Sequence, residues 1–292
     1  MNLAFERVGD VEGAVLEGPT WDAATATLWF VDITAPALVA HRPADGGFTR
    51  HPMPCDVGCL GLRAGGGLIV ALRSGVSFYD PSTRQLTPVF AADWDPATTR
   101  ANDGGCDRQG RFWFGTMFEP RTSADAVLYR VDADLSVHRV VTGLTISNGL
   151  GFGLDGTSLY HADTPTSTVW RWRLDPATGT LTDRHEFARL GGDLGRPDGA
   201  TVDAEDHYWV AGISAGLLHR FAPDGRLVAS VPVAPTLWPT MPCFGGDHLG
   251  TLYLTSLRQG RAAPDLARYP HSGGLFSAPS PIRGIPAPRF AG

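Results

Sequence analysis

Apolar and polar residues alternate with a period of two over short stretches of this chain, most plainly in Val169-Trp170-Arg171-Trp172-Arg173-Leu174. That pattern predicts β-strands with one wet face. Further short runs read the same way: Thr27 to Ile33, Gly67 to Leu72, Arg111 to Thr116, Ser158 to Asp163 and His207 to Ala211. Turn sequences such as Asp175-Pro176-Ala177-Thr178-Gly179 and Ala222-Pro223-Asp224-Gly225 separate the runs. No stretch carries a convincing 3.6-residue period, so no helix is expected.

The runs also repeat. The pairs Leu28-Trp29, Leu68-Ile69, Phe112-Trp113, Leu159-Tyr160, Tyr208-Trp209 and Leu252-Tyr253 recur at steps of 40, 44, 47, 49 and 44 residues. Most follow an Asp/Gly-rich turn, as at Asp107 to Gly110, Leu154 to Gly156 and Asp203 to Asp206. This period, built from short strands and tight turns, is the signature of propeller blades. The expectation is an all-β, six-bladed β-propeller forming a single domain over residues 1–292, with blades at 14–52, 55–95, 99–139, 144–190, 194–235 and 239–280. Leu3 to Val8 is expected to add a strand to the last blade, closing the ring and removing an open edge.

A propeller gathers the innermost strand of every blade around one channel, and counting back from each aromatic anchor locates that strand. Twelve residues before Trp29 is Glu17, and eleven before Trp113 is Asn102. Twelve before Tyr160 is Asn148, and eleven before Trp209 is Asp198. Each is followed within two residues by glycine; blades two and six are expected to hold Gly58 and Cys243 at the equivalent positions. Two carboxylates and two carboxamides in a narrow tunnel need something to satisfy them. A divalent cation such as Ca²⁺, Mg²⁺ or Mn²⁺ suits hard oxygen donors. The plainer alternative is that these residues cap strand ends and hold water.

Composition trims the alternatives. The 36 Gly and 23 Pro fit many tight turns, and the net charge of −6 lacks the basic face that nucleic acid requires. All 24 basic residues are arginine, which removes lysine Schiff-base chemistry. No apolar stretch approaches the ~18 residues of a spanning helix, and residues 1–10 have no apolar signal core, so no membrane association and cytoplasmic residence are expected. Cys55, Cys59, Cys106 and Cys243 lack metal-site spacing and read as mostly buried free thiols. The nine histidines form no metal-spaced pair. His161 reads as packing beside the site, and Ser147 has no nucleophile elbow around it. Trp21, Trp29, Trp113 and Trp209 read as blade packing.

The inner-strand segments also carry a resemblance. Leu16-Glu17-Gly18-Pro19-Thr20-Trp21, Arg100-Ala101-Asn102-Asp103-Gly104, Phe114-Gly115-Thr116-Met117, Ser147-Asn148-Gly149-Leu150, Arg196-Pro197-Asp198-Gly199 and Cys243-Phe244-Gly245-Gly246 resemble, in order and spacing, the regucalcin/gluconolactonase (senescence marker protein) family. Tyr269-Pro270 and Gly273-Gly274-Leu275-Phe276 are similar to its bacterial sugar-lactonase branch. The resemblance implies one divalent metal (Ca, Zn, Mn, Mg or Fe) bound by Glu17, Asn148 and Asp198, hydrolysis of a small sugar lactone, and no protein partner. It implies substrate contact by Arg100 and Asn102. Glu119 stands one position early for the family's substrate-contacting glutamate, where Pro120 lies, so that contact is an open expectation.

The implied chemistry is metal-assisted ester hydrolysis, with Asp198 as general base and Arg100 orienting the substrate. A promiscuous metal-dependent aryl-ester, lactone or organophosphate hydrolase, and a non-catalytic calcium-binding propeller, remain as alternatives.

Overall fold

A computed structural model describes Met1 and residues 3–292. The chain forms six antiparallel blades of four strands, and consecutive strands within each blade are hydrogen-bonded neighbours. The six first strands are Leu16–Asp22, Val57–Arg63, Thr99–Cys106, Ser147–Phe152, Pro197–Val202 and Pro239–Gly245. They touch one another around the ring and so line its axis. Glu6–Arg7 pairs antiparallel with Leu275–Pro279, so the N-terminal segment supplies the outermost strand of the sixth blade, as expected.

The Asp/Gly turns explain why the repeat exists. In blade three, Asp107 Oδ1 accepts the backbone N–H groups of Gln109 and Arg111, while its Oδ2 accepts the Trp113 indole N–H at 2.9 Å. Blade five repeats the clasp: Asp203 Oδ2 accepts Trp209 at 2.8 Å and the Arg220 guanidinium at 2.8 Å. Trp113, Trp209 and both carboxylates are fully buried. One side chain thus shapes the turn, satisfies an indole and neutralises a buried guanidinium.

Two features depart from the sequence expectation. A short helix, Ala263–Arg268, lies in the long connection between Thr251–Ser256 and Leu275–Pro279. It is one and a half turns, too short for a period to show. The outer strand of blade three continues to Leu144, past the expected boundary at 139.

The C-terminal tail, to which the sequence reading assigned no role, crosses the far end of the channel. Arg289–Phe290 pairs parallel with Leu62 and Arg63 on the inner edge of blade two. Backbone bonds tie Ala204 to Arg283, Gly284 to Leu249, and Ala291 to Gly110. Phe290 is fully buried against Phe78. Ile285 to Pro288 and the lower ends of the inner strands line a small, mostly apolar cavity of about 130 Å³. Among the described residues no helix is long and apolar enough to cross a membrane.

Replacing Asp203 by alanine strands a buried indole N–H and a buried guanidinium together, so Asp203→Ala should lower the unfolding free energy by about 3–5 kcal/mol. Asp155→Ala, in the exposed turn of blade four, should change it by under about 1 kcal/mol. Thermal melts of the two variants check the contrast; equal losses would remove the clasp as the reason for the repeat.

Candidate active site

Every first strand carries a register shift at the same depth. The shifts lie between Glu17 and Thr20, Val57 and Cys59, Ala101 and Gly104, Asn148 and Gly151, Pro197 and Ala200, and Pro239 and Pro242. Such bulges re-aim a side chain and end regular pairing locally. Glycine makes two of them possible. Gly18 and Gly149 sit at φ +57° and +63°, and a Cβ on Gly149 would lie 2.7 Å from the Tyr208 hydroxyl.

Register against the second strands identifies the equivalent channel positions as Glu17, Gly58, Asn102, Asn148, Asp198 and Thr240. The sixth differs from the expectation of Cys243. The first turn of blade six is longer, with a 3-10 turn at Asp247–Leu249, so the equivalent Thr240 lies thirteen residues before Tyr253, whereas Cys243 lies ten before it. Cys243 lies beside the small cavity at the other end. Thr240 is self-contained, donating to the Leu16 carbonyl at 2.6 Å and lying 2.8 Å from the Thr255 hydroxyl.

Glu17, Arg100, Asn102, Glu119, Asn148 and Asp198 all line one cavity of about 360 Å³ at the open mouth of the channel. A chain of polar contacts joins most of them. Arg73 bonds Asp56 at 2.6 Å and Glu119 at 2.9 Å. Glu119 Oε1 faces Arg100 Nε at 3.6 Å, beyond hydrogen-bond length, and that Nε has no partner. Arg100 donates to Asn102 Oδ1 at 2.7 Å. Asn102 Nδ2 donates to Asn148 Oδ1 at 2.7 Å, and Asn148 Nδ2 donates to Asp198 Oδ1 at 2.8 Å. Because guanidinium donates only, it sets the sense of both amides in turn.

Glu17 stands apart from this chain. Its Oε2 accepts the N–H of Gly18 at 2.8 Å, and among the described residues neither Glu17 nor Asp198 forms an ion pair. Burial, then Asp198, then Asp103 push the Glu17 carboxyl well above the usual range. Burial, then Asp103, push Asp198 up to about 8. Asp103, which the sequence reading quoted without a role, accepts the Leu150 N–H at 2.9 Å while its Oδ1 is buried without a partner. Burial raises it to about 7. Its signal was a third acid directly after Asn102 in an inner strand.

Two further residues, Asp163 and Thr164, support the site. Thr164 accepts from Asn148 Nδ2 at 2.8 Å and donates to the Pro197 carbonyl at 2.8 Å. Asp163 accepts the N–H groups of Thr145 and Ile146, as Asp32 accepts those of Ala14 and Val15. These two aspartates fix the loops that deliver Asn148 and Glu17. His161 Nε2 lies 2.8 Å from Ser147 Oγ, and burial holds its imidazole down at about 4, hence neutral.

The donor set suits a hard cation: two carboxylates whose buried charge lacks a partner, and an amide oxygen with a free lone pair. Among the described residues no cluster of three His, Cys, Asp or Glu side chains is placed to hold a metal, so the donors at this cavity are two carboxylates completed by an amide.

Residues 15–258 match the model of the SMP-30/Gluconolactonase/LRE-like region. The chain is 41% identical to the 6-deoxy-6-sulfogluconolactonase of Pseudomonas putida over 100% of both chains. It is 34% identical to the L-arabinolactonase of Azospirillum brasilense, covering 98% of this chain and 95% of that one. The solved structure of a calcium-binding protein, regucalcin, from Agrobacterium tumefaciens superposes with a TM-score of 0.94 at 28% identity, covering 99% and 98% of the two chains.

The raised Asp198 carboxyl has a thermodynamic consequence. The unfolded chain loses this proton near the ordinary value of 3.8, whereas the fold keeps it to about 8. Its contribution to stability is therefore complete below about pH 4 and is lost as pH rises through about 8. In chelator, the melting temperature of Asp198→Asn relative to wild type should climb from pH 5 to pH 8.5. A pH-independent difference would show that the buried pair carries no such strain.

Proposed function

The chain belongs to the SMP-30/gluconolactonase/LRE-like family, and from that premise we propose that it hydrolyses a sugar aldonolactone of glucono-, xylono- or arabinono-lactone type to the aldonic acid. One divalent cation, held by Glu17, Asn148 and Asp198, is the proposed cofactor. The observation that carries the reading is the pair of buried carboxyl groups, neither with an ion-pair partner among the described residues, beside an amide and an arginine in one cavity.

When bound, the cation would supply Lewis-acid stabilisation of the charge that develops on the carbonyl oxygen. Asp198 takes the proton of the water that attacks the carbonyl carbon. The ring C–O bond then breaks and a proton passes to the departing alkoxide, giving the hydroxy acid. Asn148 holds Asp198 Oδ1 at 2.8 Å, which leaves Oδ2 as the basic atom. Arg100 lines the same cavity, and its guanidinium is the proposed donor to a substrate oxygen. Glu119, held between Arg73 and Arg100, acts in this scheme by positioning Arg100. Asn102 couples Arg100 to Asn148 and so keeps the catalytic carboxylate in register with the substrate-binding guanidinium.

A scaffold that only bound calcium would have no use for the Arg73–Glu119–Arg100–Asn102 chain. The test is pH-stat hydrolysis of glucono-, xylono- and arabinono-lactone beside an aryl ester, corrected for spontaneous opening. Aldonolactone turnover should vanish in chelator and return with Ca²⁺, Mn²⁺, Mg²⁺, Zn²⁺ or Fe²⁺. Asp198→Ala with metal supplied should lose at least about 100-fold in kcat. Near-normal turnover by that variant would refute the base assignment, and chelator-insensitive lactonase activity would refute the metal.

A further inference from the structure

The floor and the mouth of the large cavity carry opposite charge. Glu17 and Asp198 lie on the inner strands, whereas Arg121, Arg196 and Arg261 line the rim. The three arginines come from different blades. Arg121 is in the connection after Phe112–Phe118, Arg196 in the approach to Pro197–Val202, and Arg261 in the long connection after Thr251–Ser256.

All three are exposed, and among the described residues none forms an ion pair, although fifteen other arginine pairings are made elsewhere to Asp or Glu. They also lie near enough to repel. Desolvation first, and then the charges of Arg196 and Arg121, hold the Arg261 guanidinium below its ordinary value. Arg261 is nevertheless held in place: its Nε donates to the Gln259 carbonyl at 3.2 Å, and its guanidinium lies 5.4 Å over the Trp238 ring. Three like charges kept together at a cavity mouth are unfavourable in the free protein and become favourable once an anion sits among them.

We propose that Arg121, Arg196 and Arg261 form a subsite for a negatively charged substituent on the lactone, remote from its carbonyl. The substituent is an oxyanion: sulfonate, phosphate ester or carboxylate. This deepens, and rests on, the lactonase reading above. Bidentate guanidinium donors match all three oxyanions, so the geometry names the shared chemistry and the substrate series separates them. The subsite acts on specificity: it rewards the correct lactone at the mouth while the hydrolytic groups act at the floor.

The experiment measures kcat and KM of metal-supplied wild type on four lactones: glucono-1,5-lactone, its 6-deoxy-6-sulfonate, its 6-phosphate, and glucaro-1,4-lactone with its free carboxylate. One anionic lactone should exceed gluconolactone in kcat/KM by about tenfold or more, chiefly through a lower KM. The variant Arg121→Gln, Arg196→Gln, Arg261→Gln should reduce that anionic-to-neutral ratio by about tenfold or more, and Arg261→Gln alone should give part of the loss. Turnover of gluconolactone equal to or better than every anionic lactone overturns the subsite and leaves the lactonase reading standing. An unchanged ratio in the triple variant also overturns it. If wild type opens none of the four above the spontaneous rate, the subsite is overturned; if xylono- and arabinono-lactone also go unopened, the lactonase reading fails with it.

Discussion

Two acids share a narrow channel and, among the described residues, no cationic side chain pairs with either; the rest of the site is arranged around that repulsion. Glu17 and Asp198 come from blades one and five, so the ring itself forces them together. Asp103 adds a third buried acid on the same level of the fold. In a solvated groove such charges would be screened, but in the closed channel each raises its neighbours. The molecule therefore holds acids whose charged form is costly until a cation joins them, at the floor of a cavity whose rim is cationic.

The neighbouring polar groups give the acids direction without neutralising them. Asp56 and Glu119 anchor Arg73 and, through it, Arg100. Arg100 then dictates how Asn102 and Asn148 are turned. The result is a directed series of donors ending on one oxygen of Asp198, with its other oxygen unencumbered. Blades two, three, four and five each contribute a member, so the series exists only in the closed ring.

Channel ends are treated differently. At one end the C-terminal tail crosses the inner strands, buries Phe290 and leaves only a small apolar space. At the other, Leu257 to Arg261 of the connection after Thr251–Ser256 help line a cavity nearly three times larger. Traffic to the acids is thereby confined to one side, the side on which the unpaired arginines stand.

Much of this was legible in the chain itself. Strand alternation, the Asp/Gly turns and the aromatic pairs are local, because a pleated strand repeats every two residues and a turn aspartate bonds its own neighbours. They specified six blades and the closing N-terminal strand, and the count from each anchor reached Glu17, Asn102, Asn148 and Asp198. It failed at blade six, where a longer turn moved the equivalent residue from Cys243 to Thr240. Glu119, Asp103 and Thr164 had no local pattern to announce their contacts. Nor could composition say which three of 24 arginines would meet at one mouth, how each amide would turn, or that the tail would stopper the far end. Those outcomes depend on loops from separate blades converging after the ring closes, a non-local geometry that no short window of sequence encodes.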